Sequence, residues 1–307
     1  MKALVASLAL IMAVQRPLRE PQPPAPTFKS GVDVVRLDVS VVDRNGAPLR
    51  GLTAADFIVT DQNVPQEVQS VAVDRLPLSV QLVLDVSDSV SGRRLERLIA
   101  AANGLLTALR PGDRAGLVTF SHMLLVPIEM TADITAVRSA LGGIAGSGRT
   151  ALRDAVQLAL AKTDDSEARR LVLVFTDGLD NASWLSEKAI IESAKRAAVV
   201  IHVVRVAARD EEYERAFGRW TGGTNAKLVE ELTEASGGRV WSAASEDDLE
   251  RLFTRALDEM RARYVLTFTP PRPVRPGWHE LKVRLRRGGG EITARRGYFV
   301  VGPSPTF

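Results

Sequence analysis

The feature that most constrains this chain is a repeated alternation of apolar runs and amphipathic stretches through its middle. Leu78 to Leu84 is almost continuously apolar, as in a parallel strand buried on both faces, and Arg94 to Leu109 has helical periodicity. Further buried strands are predicted at 116–120, 171–175 and 199–206, and further helices at about 133–141, 151–162, 186–198, 228–236 and 247–262. The alternation predicts an α/β fold, a doubly wound and mostly parallel sheet with helices on both faces.

Both ends of the chain show a different pattern, in which apolar and polar residues alternate as in half-exposed strands. Strands are predicted at 32–43, 57–60 and 68–73, with a hairpin at Asn45-Gly46, and again at 264–269, 279–286 and 291–301. In the stretch from Leu281 to Arg286 the odd-numbered residues are expected to face a core and the even-numbered ones water. We therefore expect a discontinuous all-β sandwich, built from both chain ends, into which the α/β domain is inserted.

The N-terminal segment is expected to lie outside both folded units. Ala3 to Val14 is an apolar run of signal-peptide length, and residues 16 to 27 are rich in proline. The predicted divisions are then residues 1–27 for a signal peptide and spacer, 28–76 for the first part of the sandwich, 77–257 for the α/β domain and 258–307 for the second part. An N-terminal signal peptide or short anchor predicts export to the periplasm, the cell envelope or the extracellular space.

Composition excludes several classes of function. The chain has no cysteine, which excludes disulfides, thiolate metal sites and cysteine nucleophiles. Its net charge is only +3, so nucleic acid is not an expected partner, and no later segment is apolar enough to predict a transmembrane span. The nucleophile elbow Gly-x-Ser-x-Gly and the phosphate loop ending in Gly-Lys-Ser/Thr are also absent, so we do not expect an enzyme.

Polar clusters follow the predicted strands at the positions where a parallel sheet binds ligands. Asp85-x-Ser87-x-Ser89 follows the first buried strand, Asp177 follows the strand 171–175, and a glycine-rich turn brings Thr150 to the start of a helix. These five side chains offer two carboxylates and three hydroxyls, with no nitrogen or sulfur. Such donors select Mg²⁺, or else Mn²⁺ or Ca²⁺, over zinc and copper.

In the order and context of these three loops, the chain resembles the von Willebrand factor type A (VWA) domain and its metal-ion-dependent adhesion site. The resemblance implies that Ser87, Ser89 and Thr150 contact the metal directly, and that Asp85 and Asp177 act directly or through water. It also implies a partner protein that brings an Asp or Glu carboxylate to the open metal position.

A wider resemblance, to a bacterial VWFA-related family with flanking β segments, extends over most of the chain. It rests on three short motifs, Val-Val-Asp-Arg-Asn-Gly at 41–46, Leu-Thr-Ala-Ala-Asp-Phe at 52–57 and Ala-Arg-Arg-Gly-Tyr at 294–298.

Several residues near these motifs have a second interpretation. Asp, Ser and Thr are also favoured as helix caps and in turns. Asp88 stands where many relatives have a small residue, and we expect it to face solvent, where it matters little. Asp154 either orients the metal shell or is a carboxylate favoured at a helix N-terminus. Trp220, in an apparent insertion at 208–224, is either a ligand contact or, more in keeping with its surroundings, a packed anchor.

The leading hypothesis is a secreted or envelope-associated adhesion-type module that binds proteins through its metal. One alternative is a metal-dependent hydrolase in which Asp88 or Asp180 assists a bound water. Another is a VWA scaffold or chaperone subunit. We also expect ligation of the metal site to shift the last helix of the domain, at 247–262.

Overall fold

The computed structural model describes residues 34–73, 76–162, 168–177, 180–206, 226–271 and 274–301. The strands are β1 Val35–Val42, β2 Phe57–Asp61, β3 Val64–Gln66, β4 Ser70–Val73, β5 Leu78–Asp85, β6 Arg114–Phe120, β7 Leu124–Thr131, β8 Arg169–Thr176, β9 Val200–Val206, β10 Val240–Ala243, β11 Tyr264–Phe268, β12 Gly277–Leu285, β13 Glu291–Ala294 and β14 Gly297–Val300. The helices are α1 Arg93–Ala108, α2 Ile134–Gly142, α3 Leu152–Lys162, α4 Glu187–Arg196, α5 Ala226–Ser236 and α6 Leu249–Ala262. The predicted signal peptide and spacer, and the insertion that contains Trp220, lie outside the described residues.

The central sheet has the strand order β10-β9-β8-β5-β6-β7, and all its pairings are parallel except that of β6 with β7. Alternate residues of β5 pack on opposite faces: Leu82 and Leu84 join a core with α1, α2 and α6, whereas Val83 joins a core with α3, α4 and α5. The predicted doubly wound, mostly parallel α/β fold is confirmed. Within the described residues, no helix is both long and apolar enough to cross a membrane.

The two chain ends form two antiparallel sheets, with strand orders β13-β1-β11-β4 and β14-β12-β2-β3. They share a third hydrophobic core that includes Leu37, Phe57 and Leu266. In β12 the predicted alternation holds, because Leu281 is buried while Lys282 is exposed. These observations agree with a sandwich built from both ends.

Several features of the three sheets were not predicted from the sequence. The stretch 291–301 forms two strands, β13 and β14, which lie in different sheets and are separated by Arg295 and Arg296. After the turn at Asn45-Gly46 the expected second strand is reduced to one bridge between Val42 and Pro48, since proline has no N–H to continue a ladder. The edge strands β7 and β10 are additional to the predicted central sheet, and β3 is additional to the predicted strands of the sandwich.

A buried ionic cluster joins α6 to the central sheet. Glu259 Oε2 lies 2.8 Å from His202 Nε2, and Arg263 Nη2 donates to Glu259 Oε1 at 2.9 Å. His202 Nδ1 accepts a hydrogen bond from the backbone N–H of Arg239, which assigns the imidazole proton to Nε2. Burial lowers the pKa of His202. Burial alone would raise the pKa of Glu259, but the charge of Arg263 together with the interactions from His202 and the hydrogen bond from Arg263 outweighs it and holds that pKa well below its usual range.

Candidate metal centre

The five predicted ligand residues lie on three loops at one edge of the central sheet. Asp85 is the last residue of β5, and Asp177 directly follows β8, the parallel neighbour of β5. Thr150 precedes α3. Asp85, Ser87, Thr150 and Asp177 are each at most 2% exposed, whereas Ser89 is exposed to solvent. Four of the five side chains are thus buried, and Ser89 is the one that faces solvent.

Three of the five residues form a continuous hydrogen-bonded chain. The Ser87 hydroxyl donates to Asp85 Oδ1 at 2.6 Å and lies 3.1 Å from the Ser89 hydroxyl. The other oxygen of Asp85, Oδ2, accepts from Thr176 Oγ1 at 2.9 Å. Ser87 occupies the N-cap position of the short 3-10 helix Asp88–Val90, but its hydroxyl makes no capping bond there. Because this hydroxyl bonds Asp85 instead, Ser87 does not act as an ordinary helix cap.

The remaining two residues join this chain in different ways. Asp177 is close enough to Asp85 for its charge to act on that carboxylate. The loop of Thr150 is fixed against that of Asp85 by the backbone, since Ser147 N–H donates to Val86 O at 2.8 Å.

The electrostatics of the cluster are those of two carboxylates held together away from water. Burial raises the pKa of Asp85 to about 7, with a further contribution from the negative charge of Asp177. The hydrogen bonds from Ser87 and Thr176 act in the opposite direction. A divalent cation between the two carboxylates would relieve both effects.

The donor set fits a small, hard cation. In the parts of the chain that the structure describes, no three His, Asp or Glu side chains converge to hold a metal. A cation at Asp85 and Asp177 would therefore depend on the hydroxyls of Ser87, Ser89 and Thr150 for its other protein ligands. Mg²⁺ suits such a site, because it prefers oxygen donors and retains several waters.

Asp88 faces solvent as expected, and it also connects two loops of the candidate site, a role that the sequence did not predict. Its Oδ1 accepts from the backbone N–H of Gly148 at 2.7 Å, and its own N–H donates to Gly148 O at 2.9 Å. Gly148 has φ +90°, and a Cβ there would lie 2.0 Å from Nδ1 of His122. Asp88 thus connects its own loop, which contains Ser87 and Ser89, to the glycine-rich loop. It does so at Gly148, a position where only glycine fits.

Asp154 stabilises a neighbouring loop. Its two carboxylate oxygens accept from the backbone N–H groups of Trp184 and Leu185, at 2.9 and 3.0 Å. Asp180 is also engaged, because its buried carboxylate accepts from Ser183 Oγ at 2.8 Å and pairs with Arg153 at 3.2 Å. These contacts account for both carboxylates without a metal.

Sequence reasoning missed Arg94, which links the loop of Ser89 to the segment before the last helix, α6. The Arg94 guanidinium is largely buried, donates to the backbone oxygen of Ser89 at 3.3 Å and pairs with Glu246 at 3.0 Å. Glu246 begins the short 3-10 helix that leads into α6. The sequence contained one signal for this role. Arg94 lies four residues before Leu98 and therefore on the apolar face of α1, where a charged residue is unexpected.

Comparisons with known proteins agree with this fold. Residues 80–179 match a family model described as the von Willebrand factor type A domain. An uncharacterised protein of Synechocystis sp. is 32% identical over 108 residues, which are 34% of this chain and 26% of that protein. Human inter-alpha-trypsin inhibitor heavy chain H4 is 27% identical over 136 residues, which are 40% of this chain and 14% of that protein. The chain thus spans about a quarter or less of the length of these two relatives.

A solved structure shares the fold at low sequence identity. It is proximal thread matrix protein 1 from the mussel byssus, described with a zinc-occupied MIDAS motif. Its TM-score is 0.51 at 15% identity, and the match covers 65% of this chain and 50% of the mussel chain. The family match, taken with the six-stranded sheet and its flanking helices, shows that this chain contains a von Willebrand factor type A domain.

Proposed function

We propose that this protein is an exported binding module in which a divalent cation captures a carboxylate of a partner protein. Asp85, Ser87, Ser89, Thr150 and Asp177 would hold the cation, with Mg²⁺ the expected ion and Mn²⁺ or Ca²⁺ as possible substitutes. The observation that carries the proposal is the buried Asp85–Asp177 pair, in which Asp85 is linked through the Ser87 hydroxyl to the exposed Ser89.

The balance of charges favours capture of an anion. Only two carboxylates belong to the five-residue set, and the three hydroxyls are neutral. A divalent cation held in this way would keep an affinity for one more oxygen anion on its open side. The exposure of Ser89, next to the buried Ser87, supports an approach from solvent at this point.

Two resemblances support parts of this proposal. The flanking sandwich agrees with the bacterial VWFA-related family, whose members carry β segments on both sides of the domain. The zinc-occupied motif of the mussel protein supports a metal-binding role for this fold. Export rests on the sequence of residues 1–27.

The hydrolase alternative has less support. Asp180 would have to activate a water molecule, but its side chain is 0% exposed and is engaged by Arg153 and Ser183. Asp88 is accessible, yet its Oδ1 is engaged by Gly148. The scaffold alternative uses the same binding site and differs only in the cellular location of the partner.

The proposal is tested by titrating the purified chain with Mg²⁺ and Mn²⁺ in a calorimeter, followed by capture of partners from an envelope extract. One ion should bind per chain, and the captured proteins should be released by a chelator. The same chain should not turn over generic phosphate or ester substrates. Absence of metal binding, or metal-dependent turnover that Asp85→Ala abolishes, would overturn the proposal.

The contact through Arg94 predicts coupling between the metal site and the last helix. In the wild type, metal addition should alter hydrogen exchange at residues 246–262, because the Ser89 carbonyl, Arg94 and Glu246 form one connected chain. Arg94→Met should suppress this change. Arg97→Met is the matched control, since Arg97 lies on the same helix and pairs with the exposed Asp247 at 3.0 Å. An equal response in wild type and Arg94→Met would exclude this route.

A further inference from the structure

A tryptophan side chain stands almost entirely in solvent beside the candidate metal centre. Trp184 is 97% exposed, and it lies on the loop that follows β8, the strand that ends next to Asp177. Tryptophan is among the largest apolar side chains, and it is enriched where proteins bind one another. Because the Trp184 side chain is almost fully exposed, packing within the described chain does not explain why a large apolar residue stands here.

The loop that carries Trp184 is held in place by several hydrogen bonds. The backbone N–H groups of Trp184 and Leu185 donate to the carboxylate of Asp154. The hydroxyl of Ser183 accepts from the backbone N–H of Arg153 at 3.1 Å. A side chain presented from a fixed backbone loses less conformational entropy on binding than one on a mobile loop. The backbone that presents the indole is therefore preorganised.

The same loop is bonded directly to a candidate metal ligand. Thr150 N–H donates to Asn181 Oδ1 at 2.9 Å, and Thr150 O accepts from the N–H groups of Asn181 and Ala182, both at 3.0 Å. Arg149, which is exposed, donates from its guanidinium to Asn181 O. The loop that carries Trp184 is thus bonded both to Thr150 and to the exposed cation of Arg149.

We infer that Trp184 is a second anchor for the partner, an inference that rests on the proposed function. The partner is an extended acidic segment of a protein. One Asp or Glu carboxylate of the segment occupies the metal centre, and an apolar or aromatic side chain a few residues away packs on the indole. Arg149 complements the negative charge of the segment. Trp184 thereby selects among acidic segments that the metal alone would not distinguish.

The test uses a random peptide library displayed on phage and selected on the full chain in Mg²⁺, with elution by chelator. The selected peptides are then synthesised and titrated against four proteins, the wild type, Trp184→Ala, Trp184→Phe and Leu125→Ala. Leu125 is the control, because it is 52% exposed on the edge strand β7. Mg²⁺ affinity is measured for each protein, and Trp184→Ala should leave it unchanged, since the loop is held through backbone N–H groups.

We expect the peptides to combine an acidic residue with a nearby apolar one. Trp184→Ala should weaken their binding by at least about tenfold, Trp184→Phe by less, and Leu125→Ala hardly at all. Metal-dependent peptides that bind Trp184→Ala as tightly as the wild type would overturn this inference and leave the proposed function standing. Failure to obtain any metal-dependent peptide would count against the proposed function itself. Self-association of the chain that Trp184→Ala abolishes would mean that the indole contacts a second copy instead.

Discussion

Replacing Ser87 and Ser89 together with alanine is expected to lower the affinity for Mg²⁺ by roughly 100-fold or more, since outer-shell changes alone commonly cost 10–100-fold. The Ser87 hydroxyl bonds Asp85 at 2.6 Å and lies 3.1 Å from that of Ser89. Without the two hydroxyls, the carboxylates of Asp85 and Asp177 would remain the main protein ligands. Calorimetric titration, or the paramagnetic resonance signal of free Mn²⁺, measures the loss.

The matched control for this double variant is Ser91→Ala. Ser91 lies on the same segment, but its hydroxyl donates to the backbone oxygen of Asp88 and not to the carboxylate cluster. It should bind metal as the wild type does. Global unfolding of the double variant would mean that the two serines are structural, and an unchanged metal affinity would place the cation elsewhere.

The position of the site could be predicted because it follows from topology. Apolar runs such as Leu78 to Leu84 identify buried parallel strands, and the carboxyl ends of parallel strands meet at one edge. Once their strands were recognised, Asp85 and Asp177 were therefore expected at the same edge of the sheet. The structure adds that β5 and β8 are direct neighbours. Binding of a metal by these residues stays a prediction.

The features that sequence reasoning missed depend on contacts between distant residues. No local pattern places the backbone of Gly148 against Asp88, so the connection between the two loops was not foreseen. Likewise, Arg94 became meaningful only when Glu246 was found beside it, more than 150 residues away. The edge strand β7 begins with an apolar stretch from Leu124 to Ile128, but Pro127 lies within it, and a proline inside such a run argues against a regular strand. Tertiary packing decides these features.

Both ends of α6 are fixed by ionic contacts, and this links the stability of the domain to its possible movement. At the start, Glu246 pairs with Arg94 and thereby with the metal loop. Near the end, Glu259 joins the cluster with His202 and Arg263, directly before β11 of the sandwich. A shift of α6 along its axis would have to disrupt the second cluster. That cluster would therefore oppose the predicted shift of α6.

Replacing Glu259 with alanine is expected to destabilise the chain by about 3–5 kcal/mol, because removal of one partner leaves an uncompensated buried charge. That charge is the guanidinium of Arg263, which is 0% exposed. Urea unfolding followed by circular dichroism should show a lower midpoint with an unchanged slope. Asp258→Ala is the control, since Asp258 is the neighbouring acidic residue on the same helix and is exposed. Its effect should stay within about 0.5 kcal/mol. Equal stability of the two variants would show that Glu259 does not hold α6 in place, and the last helix would then be free to move at little cost.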